Sequence, residues 1–268
     1  MFNSLKSLAV TGLKRARLYA NRQGYDFHPV DSRCWEDQVA ILRGQETAVI
    51  FDIGANGGEV AIEYRRLFPK ARVFCFEPQH ECVEVLKGLF RDDSLVSIHP
   101  VAVGAKRGSA TFHVTGSRAS SSLLRSDQDH LPPSYRQILT VAEEREVEVI
   151  TLDEFAERED LKRIDVLKLD IQGGEYAALE GAQRLLSEGR VRLIYLEIGF
   201  VPMYVNHPLL GDLTKLLARH DYTLHFLYNL VINGRSGRML WGDAIFISPG
   251  LYRDSRERLK QDWGGKTH

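Results

Sequence analysis

Short apolar runs alternate with amphipathic stretches along most of the chain. The apolar runs lie at residues 49–53, 73–76, 96–103, 164–169 and 191–196. Runs of this kind are typical of strands that are buried on both faces of a parallel sheet. Between them, apolar residues recur at intervals of three or four, which is the spacing of an amphipathic helix. The alternation predicts an α/β domain.

The last two predicted strands, at residues 222–228 and 244–247, are joined differently. Their connection contains Asn233-Gly234 and Ser236-Gly237, which favour turns and leave no room for a full crossover helix. A hairpin is therefore expected, with one strand antiparallel to the rest. The predicted fold is a doubly wound, Rossmann-like, mostly parallel seven-stranded sheet with one antiparallel edge strand.

Residues 1–46 are predicted to form an N-terminal helical extension. Residues 1–22 carry an apolar stripe surrounded by basic residues, and a second helix covers 31–43, with Asp31 or Ser32 as its N-cap. Leu and Ala dominate the stripe and Trp is missing from it. This favours a helix that packs on the domain or on a second copy, giving a homo-oligomer, over a helix that binds a membrane surface.

Residues 47–250 are predicted to form the main domain. The alternation is interrupted at 104–150, where glycines, a serine run and two further strand-like segments indicate an elaborated insertion and not a separate domain. The charged tail, 251–268, is expected to fray.

Composition narrows the functional classes. The chain has 268 residues, is 44% hydrophobic and carries 35 basic and 36 acidic residues, for a formal net charge of −1. This balance argues against a protein whose main task is to bind nucleic acid. Three cysteines without a CxxC pair suit a reducing compartment and offer no zinc site. No apolar run reaches the roughly 18 residues of a membrane span, and no signal peptide is recognisable, so the sequence predicts a cytoplasmic protein.

The end of the first predicted strand has the features of a nucleoside site. Residues 52–58 lie where open parallel sheets bind ligands, and their glycines permit a close approach of the backbone. The dinucleotide pattern G-x-G-x-x-G is absent, because Asn56 stands where the second glycine should admit a pyrophosphate. S-adenosylmethionine has no pyrophosphate, and its ammonium and sulfonium groups favour a carboxylate such as Asp52. Glu77, at the tip of the second strand, is placed to accept hydrogen bonds from ribose hydroxyls.

Three motifs stand at the ends of predicted strands. They are Phe51-Asp52-Ile53-Gly54-Ala55-Asn56-Gly57-Gly58, Phe76-Glu77-Pro78 and Leu167-Lys168-Leu169-Asp170-Ile171-Gln172-Gly173-Gly174-Glu175. With these motifs the chain resembles the FkbM-type methyltransferase family over about residues 47–248. The resemblance implies a class I methyltransferase fold and O-methylation that depends on S-adenosylmethionine. Its typical acceptors are small molecules and carbohydrates: hydroxyls of sugars, of glycan or glycolipid precursors, and of polyketide-type natural products.

The resemblance also implies roles for individual residues at the cofactor. The residues implied at its methionine end are Asp52, Gly54, Asn56 and Gly57. Those implied at its ribose and adenine are Glu77, Pro78, Ala102 and Val103. Asp170 and Gln172 would lie beside the methyl donor.

Methyl transfer to a sugar hydroxyl requires alignment and gains from a base that takes the proton. Asp170 is the first candidate base. Glu197 ends the adjacent parallel strand, so it should face the same cleft as a second base or as a group that orients the acceptor. His207 is a third candidate because histidine titrates near neutral pH, although a loop histidine without a function would look the same. The two carboxylates also suit Mg²⁺ or Ca²⁺, but two ligands do not define a site, and no metal is assigned.

Three residues are candidate contacts to the acceptor. Ser121 lies in a serine run that fits a flexible loop equally well, and Glu175 opens a helix whose dipole it would also complement. Tyr204 follows Pro202 in a strand-to-helix loop, where binding residues are common. Two other functions stay open: an NAD- or nucleotide-sugar-dependent enzyme, and a non-catalytic cofactor-binding scaffold. The missing glycine argues against the first, and the intact acidic positions argue against the second.

Overall fold

The computed structural model describes residues 25–26, 33–43, 47–129, 131, 133–234 and 236–253. Its strands in chain order are β1 (Tyr25–Asp26), β2 (Val49–Ile53), β3 (Arg72–Phe76), β4 (Val96–His99), β5 (Ala102–Val103), β6 (Gly108–Thr115), β7 (Val141–Ile150), β8 (Ile164–Leu169), β9 (Val191–Gly199), β10 (Thr223–Asn233) and β11 (Met239–Ile247). Its helices are α1 (Cys34–Ile41), α2 (Glu59–Leu67), α3 (His80–Leu89), α4 (Pro133–Arg136), α5 (Leu152–Arg158), α6 (Glu175–Glu180), α7 (Gln183–Ser187) and α8 (Leu210–Ala218). A 3₁₀ turn covers Arg118–Ser120.

Eight of the described strands form one sheet, in the order β1-β10-β11-β9-β8-β2-β3-β4. The pairings from β4 through β3, β2 and β8 to β9 are all parallel. β3 and β4 follow β2 on one side of it, and β8 pairs with the other side of β2. The strand order therefore reverses between β2 and β8. The predicted doubly wound, mostly parallel sheet is confirmed.

The antiparallel strand lies further inside the sheet than predicted. β11 pairs antiparallel with both β9 and β10, and the two-residue β1 pairs with the outer side of β10. The predicted hairpin is present, but its second strand fills the gap beside β9 that the crossover through α8 leaves open. The expected position at the edge is therefore corrected, and among the described strands the sheet has an eighth member.

A second, smaller sheet of described strands has the order β5-β7-β6. β5 pairs parallel with β7, and β6 pairs antiparallel with β7. The sequence predicts one strand over 96–103, whereas the structure divides it into β4 in the main sheet and β5 in the small one. Pro100 lies at the division and has no N–H group for a sheet ladder, which accounts for the break.

Two apolar clusters cover the faces of the main sheet. One face packs against α5, α6, α7 and α8, with Phe155, Leu179 and Leu216 among its buried residues. The other packs against α1, α2 and α3, with Tyr64 and Leu86 buried. Helices on both faces leave the carboxyl ends of the parallel strands as the edge where a ligand site can form.

The predicted helix over 31–43 is observed as α1, with Arg33 at its N-cap position. The predicted caps Asp31 and Ser32 lie outside the described residues, as do the amphipathic pattern over 1–22 and the charged tail beyond residue 253. Among the residues that the structure describes, no helix combines the length and the apolar character that a membrane crossing requires.

Candidate functional site

A cleft opens at the carboxyl edge of the main sheet, where the strand order reverses between β2 and β8. It holds about 620 Å³ of empty space, part of which is open to solvent. Its walls come from the ends of β2, β3 and β8, from β5, and from the insertion. Open α/β sheets bind their ligands at this place.

The loop after β2 is held tightly against its neighbours. The N–H groups of Gly54 and Ala55 donate to the carbonyl oxygen of Phe76, at 2.9 and 3.1 Å. Gly54 has a φ of +75°, and a Cβ atom at this position would lie 2.1 Å from the backbone oxygen of Asp170. Glycine is required here because the loop after β2 touches the loop after β8.

Glu77 lines the cleft at the end of β3. Its Oε2 accepts a hydrogen bond from the N–H of Asn56 at 2.9 Å, and its Oε1 accepts one from the N–H of Gln79 at 2.8 Å. Burial raises the pKa of Glu77, while these backbone donors and the Lys168 ammonium oppose the shift. These two hydrogen bonds hold the Glu77 carboxylate in one orientation at the cleft.

Most of the other predicted cofactor residues also meet at the cleft. Its lining includes Gly54, Asn56, Pro78, Ala102, Val103, Asp170 and Gln172. Gly57 lies outside the lining, and a Cβ atom there would come 2.9 Å from the Glu59 carboxylate. The predicted contact of Gly57 with the cofactor is therefore not supported by its position.

Asp52 occupies a different place from the one predicted. Its side chain is completely buried outside the cleft lining, and its Oδ1 lies 2.9 Å from Nζ of Lys168. Lys168 also donates to the carbonyl oxygens of Ile53 and Gly54, at 3.2 and 2.9 Å. Burial by itself lowers the pKa of Lys168, but the neighbouring carboxylates, Asp52 first among them, outweigh burial and raise it to about 12.

The alternation of side chains along β2 explains this correction. Asp52 precedes the last residue of the strand, so its side chain points to the sheet face that α1 and α2 cover and not along the edge. A direct contact of Asp52 with the methionine end is replaced by an indirect role, in which Lys168 fixes the glycine loop. Lys168 is not among the predicted site residues, although Lys168 stands opposite Asp52 in the parallel register and carries the one ammonium group in the apolar run 164–169.

The turn after β8 brings two predicted catalytic carboxylates together. Asp170 is exposed at the end of β8 and lines the cleft. The side-chain nitrogen of Gln172, Nε2, donates to Asp170 Oδ1 at 3.1 Å and to Glu197 Oε2 at 2.8 Å. Asp170 and Glu197 are therefore joined through one amide, but Glu197 lies inside β9 and outside the cleft lining, so the expectation that it faces the cleft is not supported.

Glu197 lies among other acidic residues. Burial raises its pKa well above the usual value, and Asp170, Glu175 and Asp243 raise it further, while the hydrogen bond from Gln172 opposes them. Asp243 stands directly opposite Glu197 in the β9–β11 pairing, and burial raises its pKa to about 6. Burial and the three neighbouring carboxylates all favour the protonated form of the Glu197 carboxyl group.

Glu175 is the first residue of α6 and is only 3% exposed. Its Oε1 accepts a hydrogen bond from the N–H of Ile171 at 2.8 Å, which closes the turn, and its side chain lies outside the cleft lining. Burial raises its pKa to about 7, against the effect of its backbone donors. The observed contact is structural, and a contact of Glu175 with an acceptor stays a prediction.

The raised pKa of Glu175 predicts a pH-dependent stability. Between about pH 4.5 and 7 the folded protein holds the proton and the unfolded chain has released it, so stability falls as pH rises through this window. Glu175→Gln carries no such proton. We therefore expect the melting temperature to fall less between pH 5 and 8 in the variant than in the wild type. Calorimetric melts of both proteins check this, with the exposed Glu180→Gln on the same helix as the control, and equal pH slopes in all three would contradict it.

Tyr204 is buried, and its hydroxyl donates to Oε1 of Gln172 at 2.8 Å. It lies outside the cleft lining. The predicted acceptor contact is therefore corrected: the Tyr204 hydroxyl holds the turn after β8 because the loop after β9 folds down onto that turn. Ser121 does line the cleft, but its Oγ accepts a hydrogen bond from the N–H of Thr115 at 3.1 Å, so it also braces the insertion.

His207 packs edge-on against Tyr204 and lies outside the cleft lining. Its Nδ1 accepts a hydrogen bond from the N–H of Met203 at 3.2 Å, and burial lowers its pKa to about 4. The imidazole is then neutral near pH 7, with Nδ1 occupied and the proton on the other nitrogen. This arrangement disfavours His207 as the catalytic base and leaves the carboxylates as the better candidates.

The described residues contain no group of three or more His, Cys, Asp or Glu side chains that is arranged to hold a metal ion. The Nε2 group of Gln172, which is a donor, contacts both Asp170 and Glu197. A donor in this position competes with a cation for the same oxygens, so the geometry does not support a metal bound by this pair.

Part of the cleft wall comes from residues that the sequence analysis did not single out. Phe112 of β6, Arg118 and Leu123 line the cleft from the insertion. The side-chain amide of Gln79 donates to the backbone oxygen of Arg118 at 3.0 Å and fastens this segment to the end of β3. The insertion interrupts the strand–helix alternation, so the sequence held no periodic signal that could place these side chains at the sheet edge.

Comparisons of the sequence with known proteins identify its family. The family model described as the methyltransferase FkbM domain matches residues 52–224, which include Glu77, Asp170 and Glu197. The 2-O-methyltransferase NoeI of Sinorhizobium fredii (strain NBRC 101917 / NGR234) is 26% identical over 204 residues, covering 74% of this chain and 82% of that protein. The methyltransferase sdnD of Sordaria araneosa is 27% identical over 156 residues, covering 49% of this chain and 59% of that protein.

Among solved structures, the chain is similar to the methyltransferase FkbM from Methylobacillus flagellatus KT. It is 18% identical, with a TM-score of 0.49, over 78% of this chain and 45% of that chain. The present chain therefore spans less than half of that structure. At this TM-score the likeness adds nothing to the fold described above.

Proposed function

Because the chain belongs to the FkbM methyltransferase family, we propose that it transfers the methyl group of S-adenosylmethionine to a hydroxyl of a sugar, a glycan precursor or a glycosylated natural product. One observation carries this proposal: a single cleft joins the glycine loop after β2, Glu77 at the end of β3 and Asp170 at the end of β8. The relative NoeI is a 2-O-methyltransferase, which supports oxygen as the atom that receives the methyl group.

The glycine loop fits a cofactor without a pyrophosphate. Backbone N–H groups at such a loop cradle phosphates in dinucleotide-binding enzymes. Here the N–H groups of Gly54 and Ala55 donate to Phe76, and that of Asn56 donates to Glu77. Because these donors are committed within the protein, the loop has little to offer a diphosphate. This disfavours the NAD- and nucleotide-sugar-dependent alternatives.

The residues of the cleft fit the parts of S-adenosylmethionine, which supplies a methyl group on a positively charged sulfur. Glu77 would accept hydrogen bonds from the ribose hydroxyls. Ala102 and Val103 would provide an apolar wall for the adenine. Asp170 would face the charged end of the cofactor, where a carboxylate is favourable.

The acidic residues around Asp170 support a neutral acceptor that carries hydroxyl groups. Glu197 shares the Gln172 amide with Asp170, and Asp243 stands opposite Glu197, both outside the cleft lining. Asp170 lines the cleft, and its carboxylate accepts hydrogen bonds from hydroxyls but repels phosphate and carboxylate groups. Asp170 would take the proton from the accepting hydroxyl. Glu197 would serve as the second base or orient the acceptor, so a neutral saccharide is favoured over a phosphorylated one.

Calorimetry with S-adenosylhomocysteine tests the cofactor assignment. We expect Glu77→Ala to weaken binding by roughly 100-fold or more, because two hydrogen bonds to a charged group are lost. The matched control is Glu81→Ala, which removes an exposed carboxylate on α3 that pairs with Arg145. Equal affinity in the wild type and Glu77→Ala would remove the ribose assignment. Saturation by NADH, without heat from S-adenosylhomocysteine, would overturn the function.

A screen with a labelled methyl donor tests the acceptor class. Neutral oligosaccharides, sugar phosphates, sugar nucleotides and polyols are offered in parallel, and label is expected in the neutral saccharides. Label in phosphorylated sugars alone would contradict the argument from the acidic residues. Label on nitrogen or carbon would contradict O-methylation.

Composition and pattern support the remaining parts of the proposal. A net charge of −1 supports an enzyme that does not act on nucleic acid, and three cysteines without a CxxC pair suit a reducing, cytoplasmic location. The stripe over residues 1–22 supports a contact between two copies of the chain. The segments 1–46, 47–250, with its insertion at 104–150, and 251–268 are proposed as the units of its organisation.

A further inference from the structure

Gln172 contacts both carboxylates of the proposed catalytic pair. Its Nε2 lies 3.1 Å from Oδ1 of Asp170 and 2.8 Å from Oε2 of Glu197. A side-chain amide has two N–H protons, so each can serve a different carboxylate. Two like charges that would otherwise repel each other are thereby held by one neutral donor.

Tyr204 contacts the oxygen end of the Gln172 amide. Its hydroxyl lies 2.8 Å from Oε1 of Gln172 and 3.2 Å from the backbone oxygen of Ser120, and Tyr204 is only 1% exposed. Ionised carboxylates accept hydrogen bonds and cannot donate them, so Asp170 and Glu197 hold the amide nitrogen on their side. A flipped amide would place its oxygen against both carboxylates.

The backbone of Gln172 is held in an unusual conformation. Its φ is +57°, a region that residues other than glycine adopt rarely and at a cost. The Ser122 hydroxyl donates to its carbonyl oxygen at 2.8 Å, and the next residue, Gly173, has a φ of +93°. Contacts from the insertion and from the loop after β9 therefore fix both the backbone and the side chain of this residue.

We propose that Gln172 is a positioning residue that holds Asp170 and Glu197 in one arrangement at the cleft, with its own amide anchored by the Tyr204 hydroxyl. The consequence for turnover rests on the proposed function. The effect on the two carboxylates does not, because it follows from the contacts alone.

The charges that face Glu197 give the direction of the expected effect. Asp170 at the end of β8, Glu175 on α6 and Asp243 on β11 all disfavour its ionised form, and burial adds to them. The hydrogen bond from Gln172 favours the ionised form. Removing that donor should raise the pKa of Glu197 further.

The test follows the titration of Glu197 by carbon-13 NMR of its side-chain carboxyl group, assigned with Glu197→Gln. In Gln172→Met, which keeps the length of the side chain and removes the amide, we expect the midpoint to rise by about one pH unit, a tenfold change in the ionisation constant. Tyr204→Phe should move it in the same direction by less, and this variant serves as well if Gln172→Met does not fold. Tyr222→Phe is the matched control, because its buried hydroxyl donates to Val191 at the other end of β9.

Turnover gives a second measurement once an acceptor is known. The acid limb of the pH profile of kcat should move to higher pH in Gln172→Met and stay in place in Tyr222→Phe. An unchanged Glu197 midpoint in both Gln172→Met and Tyr204→Phe overturns the positioning role, whatever the turnover. A shifted midpoint in a protein that methylates no acceptor would uphold the positioning role and count against the proposed function alone.

Discussion

Lys168→Met is expected to lower the free energy of unfolding by about 3–5 kcal/mol, because it leaves the completely buried Asp52 carboxylate without its counter-charge. The carbonyl oxygens of Ile53 and Gly54 also lose their donor. For a domain of this size the melting temperature should fall on the order of 10 °C. Urea unfolding at pH 7 measures the loss directly.

The pH dependence of this loss identifies its cause. Without the ammonium, Asp52 folds most easily in its protonated form, so the difference between wild type and variant should shrink as the pH falls toward 4. The double variant Asp52→Asn/Lys168→Met should recover much of the stability at pH 7, since no buried charge is then left unpaired. Lys162→Met, which breaks a fully exposed pair with Asp160, should change the stability little. A loss in Lys168→Met that is as small as in Lys162→Met would contradict the buried ion pair.

Lys168 also links stability to the cofactor site. Its ammonium holds the carbonyl oxygen of Gly54, in the loop that touches the Asp170 backbone. The Lys168 ammonium, which compensates the charge of Asp52 in the core, therefore also fixes the backbone at the cleft. The variant should accordingly bind S-adenosylhomocysteine more weakly even at temperatures where it stays folded.

The positions of Glu77 and Asp170 could be predicted because each directly follows the last residue of a strand. The carboxyl ends of neighbouring parallel strands meet at one edge, so the order of the strands is enough to bring these side chains together. Glu197 lies inside β9, which continues to Gly199, and it does not line the cleft. The family resemblance, which depends on the same strand-end motifs, is confirmed by the match over residues 52–224.

Asp52 shows where this reasoning fails. Successive side chains along a strand point to opposite faces of the sheet. A motif that spans the end of β2 therefore does not say which of its residues point toward the edge. The partner of Asp52 comes from β8, more than a hundred residues later. A buried pair of this kind depends on strand register, which the local pattern does not contain.

Gln172 and Tyr204 show a second kind of failure. The sequence analysis placed Gln172 at the cofactor and Tyr204 at the acceptor, and the structure joins them by a side-chain hydrogen bond. Their contact depends on the fold of the loop after β9 and on the positive φ of Gln172. Neither follows from apolar periodicity, which describes regular elements and not the turns between them.

Asp170→Asn is expected to lower kcat by about 10²–10⁴-fold on the acceptor that the screen identifies, because the amide cannot take a proton from the hydroxyl. The affinity for S-adenosylhomocysteine should change far less, since asparagine keeps an oxygen that can accept the hydrogen bond of Gln172. Rapid-quench measurement of a single turnover separates this chemical step from product release.

Glu197→Gln is the comparison. If Glu197 orients the acceptor, this variant should raise KM more than it lowers kcat. Near wild-type single-turnover rates in Asp170→Asn, with a large loss in Glu197→Gln, would transfer the role of base to Glu197, which shares the Gln172 amide with Asp170.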